Sequence, residues 1–149
     1  MEKKQQEADM KNKAGNLLSW VASSAVLIGI DQYTKALAVA RLKNQQPFVI
    51  LDGVFEFLYS ENRGAAFGLM QGRQGFFFLI GIVVLAVAGY AMLRMPGWQE
   101  KRYHWLKLCV IMITAGAVGN MIDRVSQGYV VDFLYFKLIN FPIFNVADI

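Results

Sequence analysis

The 149-residue chain predicts a membrane protein of the mainly α class, a bundle of transmembrane helices carrying a small β-structure outside the bilayer. Three observations predict it. Apolar residues make up 56% of the chain, above the ~45–50% usual for soluble domains. They concentrate in three runs free of charged side chains, at residues 16–30, 75–93 and 108–122. Between the first two runs, Phe55, Phe57 and Tyr59 alternate with Glu56 and Leu58, a period near two that marks a strand.

The elements follow in order. The polar head, residues 1–15, carries Lys3, Lys4, Lys11 and Lys13 and is expected to be frayed and cytoplasmic. A span over 16–39 then runs outward. It has no small-x-small cleavage pattern before a mature domain, so it reads as a retained span rather than a leader. Residues 40–74 lie outside the membrane, where Asp52-Gly53 signals a turn between two β-prone stretches. The run over 75–93 approaches the ~20 residues a helix needs to cross hydrocarbon and returns to the inside. A short turn with Arg94, Lys101 and Arg102 follows, then a third span over 104–125 and a tail at the outer face. All of residues 1–149 form one integral membrane domain.

Composition excludes several function classes. The net charge of +4 comes from cations clustered beside the spans. That points to lipid headgroups and topology, with no nucleic acid as partner. Cys109 is the lone cysteine and His104 the lone histidine, so neither a disulfide framework nor a metal-ligand spacing exists. There is no Ser or Cys beside a His, no HExxH and no glycine-rich phosphate loop, and no metal or cofactor is expected.

The chemistry must come from polar residues in apolar surroundings, where each ionisable group costs at least ~2.5–3.5 kcal/mol. Asp31 and Lys35 stand four apart, spaced either for an interfacial ion pair on one helix face with Lys35 snorkelling outward or, equally, for a role in building a site. Asn120, Asp123 and Arg124 crowd one turn of the third span. There Asp123 and Arg124 could neutralise each other, while Ala115 and Gly119 allow a close helix approach. The closing stretch VVDFLYFKLINFPIFNVADI is almost wholly apolar yet holds Asp132 and Asp148. An isolated buried carboxyl would stay protonated and inert. Two brought together share a proton, one serving as base on a water and the other as acid. Two unrelated interfacial acids is the competing reading of the spacing. Paired acids also mark ion paths, so a non-enzymatic membrane protein such as part of an ion-coupled carrier stands as the alternative; no internal repeat supports it.

Four blocks in order then carry a resemblance: DQYTK at 31–35, ENRGAAFG at 61–68, GNMIDRVSQGYVVDF at 119–133 and FNVAD at 144–148. With them the chain resembles bacterial lipoprotein signal peptidase, or signal peptidase II. The resemblance implies an aspartic endopeptidase of the bacterial inner membrane, multi-pass and monomeric, with its site toward the extracytoplasmic face. It implies, as substrate, a prolipoprotein cut before a diacylglyceryl-modified Cys, with membrane lipid as the other partner. The implied catalytic pair is Asp132 and Asp148. The implied supporting residues are Asp31, Asn62, Asn120, Asp123, Arg124 and Asn145. The implied fold is four transmembrane helices with an extracytoplasmic β-cradle. Since this sequence stops at Ile149, three spans are expected here with the family's fourth missing. A chain cut short in this way is expected to be weakly active or inactive.

Overall fold

A computed structural model of the chain describes residues 2–64 and 73–149. Part of the ENRGAAFG block, residues 65–68, lies outside the described residues. Among the described residues three helices are long and apolar enough to cross a membrane. Helix α1 spans Glu2–Leu42, α2 spans Gln74–Arg94 and α3 spans His104–Gln127. At 1.5 Å per residue, the 21 residues of α2 reach about 32 Å, close to the ~30 Å hydrocarbon thickness. Leu18, Val21, Val26, Leu79, Val83 and Val87 are exposed on the bundle surface, as lipid-facing residues are.

The N-terminal head is not frayed: α1 begins at Glu2 and runs unbroken for 41 residues. Its first turns are built from Glu, Lys, Gln and Ala, all strong helix formers, with no proline to stop propagation. The far end of the bundle is tied by polar side chains. Asn16 Nδ2 donates to the carbonyls of Met92, Met95 and Pro96, which end α2 and begin the turn after it. Lys107, fully buried, donates to Asn16 Oδ1 at 3.0 Å and to Pro96 O at 2.7 Å, and its ammonium lies over the Trp98 ring. The orphan carbonyls of a helix end thus find donors within the protein.

The β-structure is a three-stranded antiparallel sheet, ordered β1 (Phe48–Leu51), β2 (Phe55–Asn62), β3 (Val130–Phe136). The expected hairpin is β1–β2, turned at Asp52-Gly53, with Gly53 at φ 69 in the left-handed region. The third strand was not anticipated and comes from the tail. Gly128, at φ 79, ends α3, and its N–H bonds Arg124 O. The chain then enters β3, which pairs with β2 through Ser60 opposite Asp132 and Asn62 opposite Val130. Val131 and Phe133 pack on Ala38 of α1, seating the sheet against the helices.

Candidate active site

Beyond β3 the tail folds back on itself. A 3-10 turn at Lys137–Ile139 leads into Asn140 at φ 49, a conformation Asn tolerates better than most side chains. The returning chain meets β3 again where Phe133 N and Leu134 N both donate to Phe144 O, and Phe144 N donates to Leu134 O. That reversal sets Asn145 beside Asp132. A second 3-10 turn, Val146–Asp148, follows, with Asn145 at its start. Asn145 Oδ1 accepts from Ala147 N at 2.8 Å, and Asp148 Oδ2 accepts from Asn145 N at 3.1 Å. This is a reciprocal capping box written into NVAD.

The two acids are joined through Asn145. Its fully buried side chain donates from Nδ2 to Asp132 Oδ1 at 2.6 Å, while its backbone N–H holds Asp148. Asp132 is 2% exposed, whereas Asp148 is open to the exterior. Asn62, diagonal to Asp132 across the β2–β3 ladder, donates to Asp132 Oδ2 at 3.0 Å. Its own Oδ1 accepts from Gly64 N, fixing the amide. Burial pushes the Asp132 carboxyl up to about 6; the two asparagine donors pull it back, and the nearby Asp148 charge adds to the rise.

Beneath the acids lies a buried ionic cluster. Lys35 Nζ, 3% exposed, reaches Asp31 Oδ2 at 2.8 Å, Asp123 Oδ2 at 3.1 Å and Asn120 Oδ1 at 2.9 Å. Of the two readings of the Asp31–Lys35 pair, snorkelling fails and the inward one holds: two carboxylates and an amide oxygen satisfy all three ammonium protons inside the bundle. Asp123 does not neutralise Arg124. Adjacent helix residues point about 100° apart, so Asp123 faces α1 and also accepts from Val131 N at 3.0 Å. Arg124 instead donates to Gly64 O at 3.2 Å and lies over the Phe77 ring, steadying the loop that carries Asn62.

Asp31 connects the first helix to the turn bearing Asp148, since its Oδ1 accepts from Ala147 N at 3.1 Å. Asn120 donates to Asp148 Oδ1 at 2.9 Å and accepts from Asn145 Nδ2 at 3.1 Å. All eight residues singled out in the sequence thus fall in one connected assembly.

Sequence reasoning passed over Gln32, whose Nε2 contacts Asp31, Gly119 O and Asp123 at 3.1 Å each. It also undervalued Lys35. A polar residue beside Asp31 in an otherwise apolar span was the available signal for Gln32. The expected close helix approach occurs at Gly119, where a Cβ would press on Asp31 of α1, while a Cβ on Gly116 would collide with Ala147 O of the turn.

From Asp148 a cavity of about 250 Å³ opens between α2 and α3, lined by Phe77, Ile80, Val84, Met121 and Arg124 among others. It is apolar along its walls and acidic at one end.

Comparison with known proteins agrees with this arrangement. The sequence profile described as Signal peptidase (SPase) II matches residues 23–149. A lipoprotein signal peptidase of Streptococcus thermophilus (strain CNRZ 1066) is 40% identical over 122 residues, covering 82% of this chain and 77% of its own length. One from Caldanaerobacter subterraneus subsp. tengcongensis is 43% identical over 125 residues, 83% of this chain and 81% of the relative. Two solved structures of bacterial membrane enzymes, obtained by the in meso method, superpose with TM-scores of 0.76 and 0.72 at 30% and 31% identity. Each covers 87% of this chain, against 78% and 83% of the solved chains. With the profile covering most of the sequence and relatives near 40% identity, this chain belongs to the signal peptidase II family of membrane peptidases.

Proposed function

We propose that the chain is an aspartic endopeptidase that removes signal peptides from diacylglyceryl-modified prolipoproteins in the bacterial inner membrane. The observation that carries this reading is the bridging of Asp132 and Asp148 by one residue, Asn145, at one end of the helix bundle. A pair of carboxylates held this way shares a single proton as it titrates. The buried Asp132 is the member that retains it, and the exposed Asp148 is the base. Asp148 takes a proton from water as the water oxygen bonds to the scissile carbonyl carbon. Asp132 gives its proton to the carbonyl oxygen. As the C–N bond breaks, the leaving nitrogen receives the proton from Asp148. The gem-diol proton returns to Asp132, and the pair is reset with one proton.

The supporting residues position this pair. Asn62 and Asn145 fix the Asp132 carboxyl plane, Asn120 holds Asp148, and Asp31 anchors the turn through Ala147 N. Asp123 and Arg124 brace β3 and the Asn62 loop from α3. The apolar cavity between α2 and α3 suits hydrocarbon brought in from the bilayer, so a lipidated residue would sit with its chains there and its peptide bond at the acids.

The end of the bundle opposite the acids carries Arg94, Lys101, Arg102 and the lysines of the head. The positive-inside rule therefore directs the acids to the extracytoplasmic face. An ion-coupled carrier is not favoured by the family relationship.

The test uses purified chain in lipid, a diacylglyceryl-modified prolipoprotein and its unlipidated counterpart. Asp132→Asn and Asp148→Asn should each lower cleavage by roughly 10³-fold or more while insertion is kept. Unimpaired cleavage by either variant would remove the pair from the mechanism. Equal cleavage of the unlipidated protein would remove the lipid from recognition.

A further inference from the structure

The Lys35 ammonium takes no part in the proposed chemistry, yet it touches the residue that holds Asp148. Asn120 has one oxygen and one nitrogen to present. Its Oδ1 accepts from Lys35 Nζ at 2.9 Å and from Asn145 Nδ2 at 3.1 Å, and its Nδ2 donates to Asp148 Oδ1 at 2.9 Å. The reverse rotamer would set an amide NH₂ against an ammonium that can only donate and would point an oxygen at a carboxylate. Asn145 Nδ2 spends one of its two protons on Asp132 at 2.6 Å and the other on Asn120 Oδ1, so Lys35 adds a charged donor to the orientation that Asn145 already favours.

We infer that Lys35 is a positioning residue for the acid pair: by occupying Asn120 Oδ1 together with Asn145 Nδ2, it aims Asn120 Nδ2 at Asp148. The inference rests on the proteolytic reading of that pair and goes further, assigning what orients Asp148 within it.

Charged and polar groups face this network from every side. Lys35 is faced by Asp31 from its own helix and by Asp123 from α3, whose two charges together exceed its own. Asp148 is faced by Asn120 and the Arg124 charge from α3 and by Asn145 N–H from its own turn. Asp132 is faced by Asn62 from β2 and by Asn145 from the tail, with the Asp148 charge raising its carboxyl and the Lys35 charge from α1 lowering it. Gln32 closes the cluster below by bonding both Asp31 and Asp123, which keeps those carboxylates turned toward Lys35 rather than toward the pair.

The experiment compares wild type, Lys35→Arg, Lys35→Gln and the charge-balanced double variant Lys35→Gln/Asp123→Asn, each checked for folding by thermal denaturation. Two readouts are taken: the pH dependence of cleavage, and an infrared titration of protonated carboxyl groups, which needs no substrate. A hydrogen bond to an ionised group is worth about one to two pKa units. Freeing Asn120 should therefore move the carboxyl titration of the acid pair up by about one pH unit. The infrared band that reports it should vanish when Asp148→Asn is added. In the cleavage assay the acid limb should rise equally, kcat should fall about ten-fold or more and KM should stay within about two-fold. Lys35→Arg, which keeps a donor and a positive charge, should restore the wild-type profile.

An unchanged carboxyl titration in folded Lys35→Gln or in the double variant overturns the inference. So does failure of both to fold while Lys35→Arg behaves as wild type, for Lys35 would then serve stability alone. A wild-type chain that cleaves at no pH, with the carboxyl titration shifting as expected, would sink the proteolytic reading and leave the positioning role standing.

Discussion

Replacing Asp132 with Asn should abolish cleavage and yet make the protein more stable above neutral pH. The folded state holds the Asp132 carboxyl at about 6 against an ordinary 3.8. The folded protein therefore binds this proton more tightly than the unfolded chain, and stability contributed by the group is present below about pH 4 and lost as pH rises through about 6. The difference of about 2.2 pKa units corresponds to about 3 kcal/mol carried as a penalty at pH 8. An asparagine removes that penalty. It costs one mismatch, because its NH₂ would face Asn62 Nδ2, whose partner oxygen is committed to Gly64 N. Such a mismatch is worth about 1–2 kcal/mol. The net expectation is a gain of about 1–2 kcal/mol at pH 8 and none, or a loss, at pH 4. Reversible unfolding of both proteins in mixed micelles across that range measures it, and the difference between the two curves isolates Asp132 from every other titrating group. A pH-independent difference, or a variant less stable than wild type at pH 8, would refute the assignment of Asp132 as the strained, proton-retaining acid.

Other perturbations have distinct signatures. Gly116→Ala places a methyl group against Ala147 O and should displace the Asp148 turn, lowering kcat about ten-fold and stability by about 1–3 kcal/mol, read by cleavage and thermal denaturation. Asn62→Ala withdraws a donor that lowers the Asp132 carboxyl, so the basic limb of the activity profile should move up by about one pH unit. Asn16→Leu strips the buried Lys107 ammonium of one oxygen partner and three carbonyls of a donor. Unfolding should become easier by about 2–4 kcal/mol with the cleavage site unchanged, and adding Lys107→Met should recover part of that loss.

The apolar spans were legible because hydrocarbon imposes a length and a composition that survive in one dimension. The β1–β2 hairpin was legible through Asp52-Gly53 and the alternation at Phe55, Phe57 and Tyr59. β3 was not, since VVDFLYF is nearly continuous in apolarity, and buried strands of that kind lose the period that identifies them. Asp132 and Asp148 stood out as acids in greasy surroundings, but spacing left their meeting open. Only the resemblance paired them, and the returning chain at Phe144 supplies the physical reason. Spacing did not decide the place of Lys35, because its second carboxylate and its amide partner come from α3, some 85 residues away along the chain. The proposed neutralisation of Asp123 by Arg124 failed for the opposite reason: neighbours in sequence were credited with a contact that helical geometry denies them.

The capping box around Asn145 makes the two acids unequal objects for mutagenesis. Asp132 projects from a strand whose backbone pairing does not depend on its side chain, so its removal reports on chemistry. Asp148 also ties down the amide at the start of its own turn, and deleting that oxygen unlatches local backbone geometry together with the reactive group. An alanine at 148 therefore mixes two defects, whereas an asparagine keeps an acceptor for the latch and gives the cleaner measure of the missing charge.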